Sequence, residues 1–211
     1  MTDTHLNELQ QPVKTPFTGG ITVGAQAKPH IPGEEGIWVF IMGDMAVFAL
    51  FFSVFSVYQA EQPALFNESR ATLNTALGFA NTLLLLTSSW FVIEAVKNAR
   101  LGLNKAACRP LILAFGCGVG FSVIKLIEYS EKIDAGITLT SNDFYMFYYI
   151  FTGLHFVHLL VGLAILAVVI FTLARKPIDD QDMRFVEVGA SYWHMVDVLW
   201  IVLFPLIYLM Q

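Results

Sequence analysis

Five long runs of apolar residues, separated by short polar stretches, set the organisation of the chain. They cover approximately 36–58, 74–96, 110–128, 144–173 and 188–209. A helix needs about 20 mostly apolar residues to cross a hydrocarbon core of about 30 Å. Each run approaches or exceeds that length. Hydrocarbon offers no water to the backbone, so helices are the only open-ended structures that can span it. The pattern therefore predicts an all-α integral membrane bundle of five transmembrane helices over residues 36–211. Residues 1–35 read differently, as a polar, proline- and glycine-punctuated flexible tail ending in Pro32-Gly33-Glu34-Glu35. Acidic residues there suit the positive end of the first helix. The tail has no basic segment followed by a short apolar core and a small-residue cleavage site, so no removable signal peptide is expected.

Composition agrees with the pattern. Of 211 residues, 56% are hydrophobic and 14% charged, against about 45–50% and about 25% in an ordinary soluble domain. Lys and Arg distribute unevenly. Lys14, Lys28, Lys97, Arg100, Lys105, Arg109, Arg175, Lys176 and Arg184 fall on one side of the five spans, and only Arg70 and Lys132 on the other. The positive-inside rule then predicts a cytoplasmic N-terminus and, after five spans, a C-terminus on the outer side. FYMFYYIF (144–151), Tyr208, Trp38 and Trp90 read as interfacial aromatic belts. The net charge of −5 comes with no basic stripe interleaved with aromatics, so no nucleic-acid partner is expected.

Cys108 and Cys117 have no metal-binding or redox spacing. Phosphate-cradling glycine loops, HExxH and G-x-S-x-G are missing too. The informative residues are the polar groups inside the apolar runs, because each is costly in hydrocarbon unless it is paired. They are Asp44, Ser88, Ser89, Lys125, Glu128, His155, His158, His194 and Asp197. At about 1.5 Å of rise per residue, Asp44 lies roughly 12 Å from the inner start of its span. His158 and Ser88 come out at about 9 Å, with His194 at roughly 9 Å and Asp197 at roughly 13 Å. Four helices thus contribute to one polar layer in the inner leaflet, and His155, one turn from His158, is expected to support it. Lys125 and Glu128 fall near the outer surface, one turn apart, where Lys can snorkel and pair with Glu.

Three chemistries fit that layer. A hydrogen-bonded polar core removes the penalties of carboxylate and histidine together. A b-type haem held by two of the three histidines would need opposed imidazoles and a large cavity. A proton relay through Asp44 and the histidines would use carboxylate–histidine pairs as pumps do. Three membrane histidines are too few for the combined haem and second-metal centre of a catalytic respiratory subunit. Gly116, Gly118, Gly120, Gly153 and Gly162 read as points of close helix contact.

TGLHFVHLLVG (152–162) and YWHMVDVLWIVLFPLIYL (192–209) resemble the two signature segments of subunit III of haem–copper respiratory oxidases. WVFIMGDMAVFALFF (38–52), NTLLLLTSS (81–89) and LIEYSEKI (126–133) resemble that family's other helices in the same order. Five helices make the chain similar to the bacterial quinol-oxidase form. PGEEGIWVFIMGDM is similar to the accessory protein found with bacterial nitric-oxide reductases. The resemblance implies a subunit with no catalytic, cofactor or metal residues of its own, and with structural lipid as its only expected ligand. It would dock on a catalytic haem-containing membrane subunit and support that subunit's assembly, stability or proton uptake. A nitric-oxide reductase complex in denitrification is the first expectation, and a terminal cytochrome c or quinol oxidase is the alternative. An autonomous b-type cytochrome and a small transporter are further alternatives. The family's buried carboxylate and its histidine partner match Asp44 and His158. Glu is common where Asp44 stands and is one methylene longer, which leaves direct contact and a water or serine bridge as alternatives.

Overall fold

The computed structural model describes residues 35–175 and 179–210. The expected flexible tail through Glu34, together with Lys176, lies outside them. Helices α1 (Glu35–Glu61), α3 (Thr75–Arg100), α4 (Asn104–Asp134), α5 (Asp143–Arg175) and α6 (Asp180–Phe204) follow from the five apolar runs. All five, with α6 taken on to Leu209, are long and apolar enough to cross a membrane. The chain is a multi-pass membrane protein. Most of the ends extend beyond the apolar runs, because a helix continues through its polar first and last turns once begun. α4 starts six residues before the predicted boundary and carries Pro110 within its early turns.

Local chemistry fixes the ends. Gly102 and Gly136 stand just past α3 and α4 with φ of 71° and 75°, the left-handed conformation that suits glycine. Beyond each, the next N–H returns to the helix, Leu103 to the Asn98 carbonyl at 3.0 Å and Ile137 to the Lys132 carbonyl at 2.9 Å. Asn74 caps α3 by accepting from the Ala76 and Leu77 N–H groups, and Asp179 with Asp182 forms a reciprocal capping box on α6. Pro205 opens a π-helical turn, Pro205–Leu209, that continues α6.

One element was not expected. α2 (Pro63–Ala71) is a nine-residue helix that turns back onto the bundle behind α1. Its Phe66, Ser69 and Arg70 are buried, and Pro63 suits a first helical position.

Cross-helix bonds fix the alternation of the spans. At the end holding the α3–α4 turn, here called proximal, Arg100 pairs with Glu187 at 2.9 Å. At the opposite, distal end Gln62 donates to Asp143 at 3.0 Å and Arg70 to the Ile207 carbonyl at 2.9 Å. The bundle of α3–α6 packs around Trp193 and Trp200, both fully buried. A β-carbon on Gly118 would stand 2.8 Å from both Leu163 and Trp193, and one on Gly162 2.8 Å from Trp193. Those two glycines make the close contacts expected of them. Gly116 and Gly153 instead face open space, and Gly120 has only ordinary contact.

α1 is largely outward-facing and docks mainly through rings. Phe48 and Phe55 are its fully buried side chains. Phe55 meets Phe66 of α2 and Phe147 and Phe151 of α5 at centroid distances of 5.3–5.9 Å. This corrects the reading of FYMFYYIF as an interfacial belt. Phe144, Tyr145, Phe147, Tyr148 and Phe151 are buried, as is Tyr208, because α1, α2 and α6 cover them.

Candidate functional site

The polar residues of the spans assemble into two clusters, proximal and distal. In the proximal one α1 brings Asp44 to α5, where its Oδ1 lies 3.2 Å from His158 Nε2. The contact is direct, so the shorter Asp needs no bridge. His158 Nδ1 lies 2.8 Å from the Leu154 carbonyl. A carbonyl only accepts, so Nδ1 carries a proton. Nε2, the other ring nitrogen, faces the Asp44 carboxylate. The side chains are 14% and 13% exposed, at the edge of the bundle. Tyr192 of α6 donates to the His158 carbonyl at 3.2 Å.

The second half of the layer joins α3 and α6. Ser89 Oγ lies 2.7 Å from His194 Nδ1, and the Asp197 carboxylate 3.7 Å from the same nitrogen. Ser88 donates to the Ala114 carbonyl at 3.0 Å and accepts from Trp193 Nε1 at 3.1 Å. The structure thus brings Asp44 to His158, Ser89 and Asp197 to His194, and Ser88 to Trp193.

His155 departs from the expected arrangement. It is fully buried between the rings of Phe121 and Trp200, at 5.7 and 5.2 Å. Neither of its ring nitrogens has a hydrogen-bond partner. Three residues along a helix turn a side chain about 60° from alignment. That offset aims His155 into the α4–α6 interior while His158 faces α1.

The distal cluster also differs from expectation. Lys125 and Glu128 do pair, at 2.9 Å, but their side chains are 0% and 1% exposed rather than snorkelling to the surface. Lys125 Nζ donates to Glu128 Oε2, to Tyr208 Oη at 2.8 Å and to Tyr148 Oη at 3.3 Å. Both phenols in turn donate to Glu128 Oε1, at 2.6 and 3.0 Å. Three ammonium protons meet three acceptors, and two hydroxyl protons meet one carboxylate oxygen. The rings of Tyr129, Tyr148, Trp200 and Tyr208 surround Nζ at 4.9–5.4 Å. Beside them Tyr129 donates to Thr152, which donates to the Tyr148 carbonyl.

Sequence reasoning missed the tyrosines and Arg70. Tyr148 and Tyr208 lie far from Lys125 in the chain, and a tyrosine near a span end suits a belt as well as a buried site. Arg70 was visible only as a loop cation. Among the described residues no three His, Cys, Asp or Glu side chains gather where a metal ion could be held.

The match to known families comes from the whole span of the bundle. The family model for cytochrome c oxidase subunit III matches residues 23–211. Cytochrome c oxidase subunit 3 of Synechocystis sp. is 28% identical over 203 residues, covering 96% of this chain and 85% of its own. Quinol oxidase subunit 3 of Bacillus spizizenii is 26% identical over 176 residues, covering 83% and 85%. Cytochrome c oxidase subunit 3 of Bacillus subtilis is 27% identical over 207 residues, covering 94% and 97%. With five ordered spans and a family-model match over residues 23–211, the chain belongs to the cytochrome c oxidase subunit III family.

Proposed function

We propose that the chain is the non-catalytic third subunit of a terminal respiratory oxidase that takes electrons from cytochrome c or quinol. The observation that carries this choice over nitric-oxide reductase is the set of relatives just named, which are subunits of cytochrome c and quinol oxidases. Its partner is then a catalytic membrane subunit that holds the haem, and this chain binds no cofactor beyond structural lipid. Engaged ring nitrogens on two of the three membrane histidines support that part of the reading. His158 is committed to Leu154 and Asp44, and His194 Nδ1 to Ser89.

The chemistry on offer is proton storage. The Asp44–His158 pair sets a carboxylate beside an imidazole nitrogen at the edge of the bundle, where a neighbouring subunit or water can reach it. Six described cations at the proximal end, Lys97, Arg100, Lys105, Arg109, Arg175 and Arg184, oppose Arg70 and Lys132 at the distal end. That asymmetry supports a cytoplasmic proximal end in a bacterial inner membrane. The pair then lies on the side from which an oxidase draws protons.

Purification of the tagged chain from its native membrane tests the reading. It should bring down a haem-containing membrane subunit whose preparation consumes oxygen with a quinol or cytochrome c donor. A partner that reduces nitric oxide and not oxygen would select the nitric-oxide reductase complex instead. A haem absorption band in the isolated chain, lost in His158→Ala or His194→Ala, would make the chain a cytochrome in its own right.

A further inference from the structure

Among the described residues two cations are buried beside the distal end, and the fold neutralises one of them. Lys125 has Glu128. Arg70, with 6% of its surface exposed, has neutral acceptors alone. Its Nε donates to the Ile207 carbonyl at 2.9 Å and Nη1 to Asn67 Oδ1 at 3.3 Å, while Nη2 has no partner. Glu68, the one acid of α2, is exposed and makes no ion pair with it. A buried guanidinium stays charged. A buried charge without a counterion is costly.

The side chain does not sit in closed packing. Arg70 lines a cavity of about 380 Å³ together with Asn67, Ala71, Leu73, Thr75 and Tyr208. The lining joins the end of α2, the first residue of α3 and the π-helical turn that ends α6. It supplies the Asn67 amide and the Thr75 hydroxyl as further polar groups. The cavity lies at the distal end, where α2 meets the ends of the apolar runs 74–96 and 188–209.

We propose that this cavity is a binding site for a phosphate oxyanion, with Arg70 as its fork-shaped donor. An oxyanion there would accept from the unpartnered guanidinium nitrogen and neutralise the charge that the fold leaves uncompensated. The phosphodiester of an anionic phospholipid has the right chemistry, and free inorganic phosphate has the same chemistry.

The test uses the full chain in a neutral detergent, titrated with short-chain phosphatidylglycerol or with sodium phosphate. Bound species are counted by native mass spectrometry, and stability is read as the thermal midpoint. Wild type should take up one equivalent. Arg70→Gln should bind at least about tenfold more weakly, as expected for loss of a charge-assisted contact. Asn67→Asp is the more telling variant, because it places a carboxylate where an amide already touches Nη1. It supplies the counterion from within, so it should fold and yet lose the same tenfold or more of affinity. Saturable binding of phosphatidylglycerol that phosphate cannot displace identifies the lipid. Displacement by phosphate identifies the free ion. Binding by Asn67→Asp equal to wild type would overturn the site, whether or not Arg70→Gln folds.

Discussion

The two buried polar clusters use the same residue classes to opposite ends. The distal Lys125–Glu128 cluster is sealed, with side chains 0% and 1% exposed, and every proton in it has an acceptor. The proximal Asp44–His158 pair is 13–14% exposed at the edge of the bundle and sets a carboxylate against an imidazole nitrogen. A closed circuit cannot trade protons without breaking bonds in a low-dielectric interior, where each lost bond is expensive. An open pair can. Burial therefore ties the distal cluster to the architecture of the bundle, while exchange is what we propose for the proximal one.

The largest expected effect comes from opening the sealed cluster. Glu128→Ala removes the carboxylate that neutralises Lys125 and strands a fully buried ammonium. Loss of one partner of a buried pair costs about 3–5 kcal/mol. Most of that penalty belongs to the abandoned charge, so removing it should rescue the fold. Lys125→Met combined with Glu128→Gln is expected to restore most of the thermal midpoint that Glu128→Ala loses. A double variant as unstable as Glu128→Ala would mean that the attraction itself, and not the desolvated charge, dominates this site.

A smaller effect should come from the packing between the clusters. Trp193 fills the notch made by Gly118 and Gly162, and its indole N–H reaches Ser88 in the proximal layer. Gly118→Ala forces Leu163 or Trp193 aside, an overpacking that typically costs about 1–3 kcal/mol. Gly153 belongs to the same helix as Gly162, but a β-carbon there meets open space. Gly153→Ala should leave the midpoint unchanged. Equal effects of the two substitutions would remove the close Trp193 contact as an explanation.

How much of this was readable beforehand depended on the range of the signal. Span number and order follow from runs of about 20 apolar residues, a constraint imposed by lipid alone. α2 has nine residues of mixed character, too few for periodicity to stand out. The Asp44 layer was legible because depth along a helix is simple arithmetic, and Asp44 and His158 come out close to the same level. Direction around a helix axis was less legible. His155 and His158 share a face only loosely, and which neighbour each meets depends on how α1, α4 and α6 are placed. Lys125 and Glu128 show the limit most clearly. Their i,i+3 spacing suits a surface pair and a buried pair equally, and the deciding partners, Tyr148 and Tyr208, come from helices elsewhere in the chain. The uncompensated charge of Arg70 was beyond reach altogether, since it depends on which acids fail to approach it.

The smallest expected change in stability belongs to the pair with the clearest chemistry. Asp44→Asn keeps the shape of the side chain and removes the second base. His158 keeps its bond to the Leu154 carbonyl, and partial exposure lets the pair relax, so the cost should be about 1 kcal/mol, within the range of polar contacts between membrane helices. The proton inventory should change much more than the stability. With an amide in place of the carboxylate, Nε2 faces a neutral group whose N–H it can accept. In nitrogen-15 spectra of histidine-labelled protein, the His158 ring signals should shift between wild type and Asp44→Asn. The Lys125→Met, Glu128→Gln variant should leave those signals in place, because the sealed cluster has no route to them. Movement of the His158 signals in the distal variant as well would join the two clusters into one protonic unit, and the division between architecture and exchange would fail.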